Sequence, residues 1–218
     1  MGQPVRVLLV DDHAMVLEAL ASRLRVAPGV SEVVTASNGE AALQEALKSP
    51  FDIAVLDIEL PGRSAFDLAA ELLQRVRGTR VIFLSGFMSD ILIEQALQVR
   101  ASGYVVKGES VDAINRAIDA VSRGETYFSP QVRERIRFDL SRKSYVMDHA
   151  HPLSALTTRQ IEVLRHLAVG QSVKDVAKLM HLSQKSVDSH KYRIMHKLAI
   201  HDRVELARYA IREGLTQP

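Results

Sequence analysis

Five side chains suited to phosphate chemistry stand at the ends of short apolar runs, although up to 96 residues separate them along the chain. Asp11 and Asp12 follow Val5–Val10, Asp57 follows Asp52–Leu56, Ser85 follows Arg80–Leu84, and Lys107 follows Gly103–Val106. Carboxylates brought together repel and raise one another's pKa unless a cation intervenes. A hard divalent ion such as Mg2+, coordinated octahedrally by oxygen, suits that place. One aspartate can then attack phosphorus as a nucleophile and become an aspartyl phosphate. The metal and Lys107 neutralise charge on the equatorial oxygens, and the Ser85 hydroxyl donates to one of them. Taken singly, Asp11 or Asp12 more often caps the next helix, and Lys107 is a solvated strand-end charge; the set of five carries the argument.

These residues converge only if the apolar runs are neighbouring parallel strands. The runs named above, with Glu32–Ala36, are brief, β-branched and bounded by polar or small residues, as buried strands are. Between them, Ala14–Arg25, Gly39–Lys48, Ala65–Arg77, Ser89–Arg100 and Val111–Arg123 have helical spacing. A strict βα alternation implies a doubly wound parallel sheet with helices on both faces. In such α/β folds the chemistry collects beyond the carboxyl ends of the strands, where the five residues stand. Residues 1–124 form this domain. Residues 125–153 read as a linker with a weak helical signal around Val132–Leu140, and residues 154–218 as a small all-α domain.

The chain of 218 residues carries a formal charge of +2, which conceals an asymmetry. Residues 1–129 hold 12 Lys+Arg against 17 Asp+Glu, a net of −5, and residues 130–218 hold 16 against 9, a net of +7. An acidic module joined to a basic one points to a polyanionic partner for the second, most often nucleic acid. Five of the basic residues lie in the linker stretch Arg133–Lys143, so motif spacing must support the charge argument. There is no cysteine, hence no disulfide framework, thiolate zinc site or cysteine nucleophile. No apolar run is long enough to span a membrane and no signal peptide opens the chain, so a cytoplasmic location without membrane contact is expected. Seven of eight histidines lie beyond residue 148; His149 and His151 lack the spacing of a metal site and read as linker polarity.

In the basic half, Ser172–Met180, a tight turn at His181 and Leu182, and Ser183–Leu198 have the layout of a helix-turn-helix. Ser172 and Ser183 are placed as N-caps, and Gly170 as the residue that stops the preceding helix, Thr158–Ala168. Val187, Ile194 and Leu198 form the buried stripe of the second helix, opposite Lys185, His190, Lys191, Arg193 and Lys197. A last helix, Asp202–Glu213, carries the apolar stripe Val204, Leu206, Ala207, Ala210 and Ile211, which closes the small core, dimerises, or does both.

Residues 5–123 resemble the receiver domain of bacterial two-component response regulators, in LLVDD, VLDIELPG, FLSGF and GYVVKG. The resemblance implies a flavodoxin-like five-stranded sheet of order 2-1-3-4-5. It implies Asp57 as phosphoacceptor, with Asp11, Asp12, Asp57 and the backbone carbonyl of Glu59 holding Mg2+. Ser85 corresponds to the switch hydroxyl, Tyr104 to the aromatic that turns inward with it, and Lys107 to the phosphate-pairing lysine. Residues 155–215 resemble the LuxR-type helix-turn-helix, and the pair of modules is the arrangement of the NarL/FixJ subfamily. By that resemblance the reading helix offers Lys185, Ser186, Asp188, Ser189, His190, Lys191, Tyr192 and Arg193 to DNA, Lys197 contacts phosphate, and the last helix dimerises.

Several residues depart from the family pattern. Ala65 replaces a glycine, which is expected to shift the backbone, and Gly108 follows Lys107, which is expected to loosen that turn. Glu59 and Phe87 flank the phosphoryl position and are expected to tune its lifetime. Gln160 and Val173 replace a glutamate and an asparagine, and are expected to alter packing or a phosphate contact. Asp188 is unusual near a polyanion: it either accepts from a cytosine amino group or holds a lysine within the helix.

The expected protein is a DNA-binding transcription regulator phosphorylated by a sensor histidine kinase, binding double-stranded DNA as a homodimer, and not a metabolic enzyme. The unphosphorylated receiver is expected to mask the reading helix. An aspartyl-phosphate phosphohydrolase is the weaker alternative, because it needs an acid/base aspartate two residues beyond its nucleophile, where Glu59 stands. A pure interaction module with a vestigial basic domain is the other.

Overall fold

The computed structural model describes residues 4–86, 88–148 and 156–216. Strands Val5–Val10 (β1), Val30–Ala36 (β2), Ile53–Asp57 (β3), Arg80–Ser85 (β4) and Gly103–Val106 (β5) alternate with helices Ala14–Arg25 (α1), Gly39–Lys48 (α2), Ala65–Arg75 (α3), Asp90–Gln98 (α4) and Val111–Ser122 (α5). The strands pair in parallel in the order β2-β1-β3-β4-β5. Because helices cover both faces, β1, β3 and β4 are apolar on both. Val7, Leu9, Val55, Ile82 and Leu84 pack with α1 and α5 residues such as Leu24 and Ile118. Leu8, Val10, Leu56 and Phe83 pack with Leu43, Leu72 and Ile91 of α2, α3 and α4.

The sheet has one strand more than expected. Tyr127–Phe128 (β6) pairs in parallel with β5, giving a six-stranded order β2-β1-β3-β4-β5-β6. The region expected as a linker is also more ordered than anticipated. Its helix is the single turn Pro130–Arg133 (α6), and Ile136–Asp139 (β7) and Ser144–Met147 (β8) form an antiparallel hairpin. The apolar residues explain this: Ile136 and Phe138 alternate with Arg135 and Arg137, a period of two rather than 3.6. The hairpin packs on α4, with Tyr145 between the rings of Phe128 (5.0 Å) and Phe138 (5.2 Å), and Arg135 pairs with Asp90 in the first turn of α4. His149 and His151 lie outside the described residues.

Four helices make the second domain: Thr158–Ala168 (α7), Val173–Leu179 (α8), Gln184–Leu198 (α9) and Arg203–Arg212 (α10). Thr157 with Gln160 and Ser172 with Asp175 form reciprocal capping boxes, and Ser183 and Asp202 cap α9 and α10. Gln160 therefore fills the capping role its position requires, with Oε1 accepting from the Thr157 amide at 3.1 Å. Val173 is the half-buried first residue of α8. Leu164, Leu167, Val176, Val187, Ile194, Leu206 and Ala210 fill the core, which continues without a break into the receiver face formed by α2, α3 and α4.

Ala65 opens α3 behind the Ser64 cap, so this departure is absorbed as an ordinary helix start. The turn after Lys107 is closed by a 3.0 Å bond from the Glu109 amide to the Val106 carbonyl despite Gly108. Gly214 is needed where it stands: its φ is +64°, and a Cβ there would lie 2.9 Å from the Met88 carbonyl oxygen. Gly214→Ala is expected to cost about 1–2 kcal/mol from the left-handed backbone alone, and more from the clash with the receiver. Calorimetry should show a lower unfolding temperature, and an unchanged one would mean that this contact is not made in solution. Among the described residues, no helix is long and apolar enough to cross a membrane.

Candidate functional site

Parallel pairing places the exits of β1, β3, β4 and β5 on one edge, and the five residues singled out from the sequence meet there. Asp11 and Asp57 are fully buried, and Lys107 Nζ lies between them, 2.9 Å from Asp11 Oδ2 and 2.8 Å from Asp57 Oδ2. Burial pushes the Asp57 carboxyl above the usual carboxylate range, against the opposing pull of Lys107. Burial pulls the Lys107 ammonium down, but its hydrogen bonds to Asp11 and Asp57 outweigh this and leave its pKa raised. The ammonium thus lies within ion-pair distance of both buried carboxylates.

Ligand atoms of Asp11, Asp12, His13 and Asp57 all lie within 4.8 Å of one another. A set dominated by carboxylate oxygens fits a hard cation such as Mg2+. His13, which the sequence reading passed over, places Nδ1 2.9 Å from Asp12 Oδ1 and 3.3 Å from Asp11 Oδ1, and its amide donates to Asp11 Oδ1 at 2.8 Å. Its position directly after two acidic residues was the available signal.

Beside the carboxylates, the hydroxyls of Ser85 and Tyr104 share a hydrogen bond, and both residues are fully buried. Burial above all raises the Tyr104 pKa, so the phenol stays protonated. Phe87 lies outside the described residues. Glu59 points out of the receiver: its Oε1 accepts from Arg165 Nη2 of α7 at 2.8 Å, while its amide donates to Asp57 Oδ1 at 3.2 Å. Burial raises the Glu59 pKa, with Arg165 the main opposing influence.

The Glu59–Arg165 pair belongs to an interface that the sequence did not foretell. Glu162 of α7 bonds the Ser64 hydroxyl, His181 approaches Gly62, and Gly214 meets Met88. A cavity of about 190 Å³ lies between the domains, with Ile58 and Leu60 on one side and His166 and Val169 on the other. The expected masking of the reading helix is not seen as direct cover by the receiver in this arrangement. The receiver covers α7 and the ends of α8 and α10, which are apolar between their charges, and leaves the polar face of α9 open.

On that open face, Lys185, Asp188, Ser189, Tyr192 and Arg193 are exposed, Tyr192 at 71%. Lys191 donates to Asp188 Oδ1 at 3.0 Å, so in the free protein Asp188 holds a lysine. Three other residues are engaged by their own domain. His190 is half-buried with its Nδ1 shielded from solvent, Ser186 bonds the Ser183 cap, and Lys197 donates to Gln160 Oε1 at 3.0 Å. In α10, Leu206 and Ala210 are buried against the rest of the domain and are not available to a second chain; the stripe is narrower than expected because the core uses these two. Val204 is 67% exposed, and Ala207 and Ile211 are partly so.

A doubly wound domain with a lysine-bridged acidic edge, carrying a helix-turn-helix whose polar face is open, is a phosphosignalling receiver joined to a DNA-binding effector. Comparison with known proteins agrees for both halves. Residues 7–119 match the response regulator receiver domain, and residues 154–210 match the bacterial regulatory proteins of the luxR family. Response regulator GacA of Pseudomonas viridiflava is 31% identical over 212 residues, covering 97% of each chain. Transcriptional regulatory protein LnrK of Bacillus subtilis is 29% identical over 217 residues, covering 97% of this chain and 99% of its own. The solved structure of the Salmonella typhimurium RcsB response regulator, at 22% identity, matches the fold with a TM-score of 0.76 over 98% of this chain and 100% of that one. The chain belongs to the response regulators of two-component systems, in the NarL/FixJ type that pairs a receiver with a LuxR-type helix-turn-helix, and it acts in transcription regulation.

Proposed function

We propose that Asp57 accepts a phosphoryl group from a sensor histidine kinase and that phosphorylation governs binding of double-stranded DNA by α9, with the protein acting as a cytoplasmic homodimer on DNA. The placement of Lys107 between two buried carboxylates at the strand exits carries this reading: it keeps Asp57 available as a nucleophile and stands where phosphoryl oxygens would arrive. Asp11, Asp12, Asp57 and the backbone carbonyl of Glu59 would hold Mg2+, which supplies charge neutralisation on the phosphoryl oxygens. Ser85 donates to one of those oxygens, and Tyr104, bonded to Ser85 from inside the fold, moves with it. The protein turns over no metabolic substrate, since its one covalent step is accepting, and later releasing by hydrolysis, a phosphoryl group.

RcsB has been solved bound to the rprA promoter in the presence of the phosphoryl mimic beryllium trifluoride, which supports DNA as the effector's partner here. Val204, Ala207 and Ile211 are the α10 residues open to a second chain, and two reading helices would then enter half-sites about one helical turn apart. Selection of bound sequences from a random double-stranded DNA pool, with and without phosphorylation, tests the proposal. The expected result is enrichment of a two-fold-related sequence that strengthens on phosphorylation. Equal enrichment in both arms removes control by phosphate, and none in either removes DNA reading. Glu59 is bound to Arg165, an arrangement that disfavours its service as the acid/base of a phosphohydrolase.

A further inference from the structure

Glu59 lies between the phosphate-chemistry site and the effector domain. One carboxylate oxygen accepts from Arg165, and the other, Oε2, would stand 3.3 Å from a Cβ added at Gly86, beside Ser85. The charges of Asp57, Lys107 and His13 act on the same carboxylate. Arg165 reaches Glu59 from α7, and the Nε of the same guanidinium donates to the Leu215 carbonyl at 3.0 Å. The side chains of Arg165 and Glu59 are only 17% and 30% exposed, so their pairing is weakly screened. Both side chains also line the cavity of about 190 Å³ between the domains, so the pair is not closely packed on that side.

We propose that Arg165 is the residue through which the effector domain grips the phosphoryl group on Asp57, exchanging Glu59 for the stronger acceptor when the aspartate is phosphorylated. The inference rests on Asp57 being the phosphoacceptor. A phosphoryl group brings a charge of roughly −1.5 to −2 and three strong acceptor oxygens. Next to Glu59 it repels that carboxylate, and it offers the guanidinium fork a bidentate partner. Both effects act in one direction: Arg165 leaves Glu59, and α7 stays against the receiver. Phosphorylation then tightens a docked form in which α9 is already open, rather than uncovering it.

The two partners are distinguishable because only one of them is needed after phosphorylation. The chain has no cysteine, so Val26→Cys and Lys174→Cys, at exposed sites on the two domains, accept a pair of spin labels in the full-length protein. With Mg2+ and beryllium trifluoride as the probe, the interdomain distance distribution of the labelled chain should narrow. Arg165→Ala should be broad with and without the probe and should bind it roughly 10-fold more weakly, with partial recovery in Arg165→Lys. Glu59→Gln should be broad alone but narrow with the probe, an opposite response that loosened packing does not produce. Narrowing in Arg165→Ala, or its absence in Glu59→Gln, overturns the proposal. A parallel assay of phosphate uptake from acetyl phosphate separates the two levels. If the unsubstituted chain takes up none, the phosphoacceptor reading falls and this inference with it; uptake with Arg165-independent narrowing overturns the inference alone.

Discussion

Asp57→Asn is expected to abolish phosphate incorporation and, at the same time, to make the free protein more stable. The first effect is chemical: the amide has no nucleophilic oxygen, and Asp11, the other fully buried carboxylate, is already bonded by Lys107 and by the amide of His13. The second follows from burial. Asp57 is held in the fold against an environment that disfavours its charge, as its raised pKa records, with burial the leading cause. Asparagine keeps the shape and removes that charge, and Lys107 retains its 2.9 Å partner in Asp11. A gain on the order of 1 kcal/mol, a few degrees in unfolding temperature, is the size usual where function has been favoured over stability. Phosphate-affinity electrophoresis after acetyl phosphate treatment, with calorimetry on the same samples, reads both. Residual incorporation would place the acceptor elsewhere, and a lower unfolding temperature would mean that Asp57 and Lys107 stabilise the fold on balance.

The legible and illegible parts of this molecule differ in range and length. The β1, α1, α2, β5 and α7 boundaries follow from the sequence to the residue, because each is a continuous run with one hydrophobic period and clear end signals. The acidic edge was equally legible, since a doubly wound topology fixes where strand exits go. The hairpin β7–β8 was not: its strands have four residues each, too short to stand out, and the arginines between Ile136 and Phe138 read as linker charge. β6, with two residues, lies below any periodic signal.

Contacts between the domains were illegible for a different reason. Arg165 follows buried Leu164 in α7, and nothing local distinguishes it from a solvated helix charge. Only docking gives it Glu59, 106 positions earlier in the chain. The α10 stripe left its division between core and partner open for the same reason, because an apolar stripe does not record how much of itself its own core uses. Leu206 and Ala210 went to the core and Val204 did not. Local periodicity thus specifies elements, and the division of an apolar face between core and partner is settled only by tertiary packing.

Removing Lys185 and Arg193 together is expected to lower affinity for the selected DNA on the order of 100-fold and to flatten its salt dependence. Both are exposed on α9, Lys185 in the first turn, where helix-turn-helix proteins meet base edges, and Arg193 two turns further on, where a phosphate contact is favoured. Each lost phosphate contact should reduce the slope of log affinity against log salt by about 1. A base-edge contact costs affinity and relaxes specificity at one position without that change in slope. Titrations at several salt concentrations therefore separate the two roles in the single variants. The role of Asp188 on DNA is read from a third substitution. In the free protein it holds Lys191 at 3.0 Å, which restrains one cation and places a negative charge on the reading face. If that is its function on DNA as well, Asp188→Ala should raise binding to unselected sequences and steepen the salt slope, because Lys191 is released to phosphate. If Asp188 instead turns to a cytosine amino group, the same substitution should relax one position of the selected sequence and leave unselected binding unchanged. In that case the Asp188–Lys191 pair is a resting arrangement that DNA displaces, and reading is coupled to a rearrangement within α9 itself.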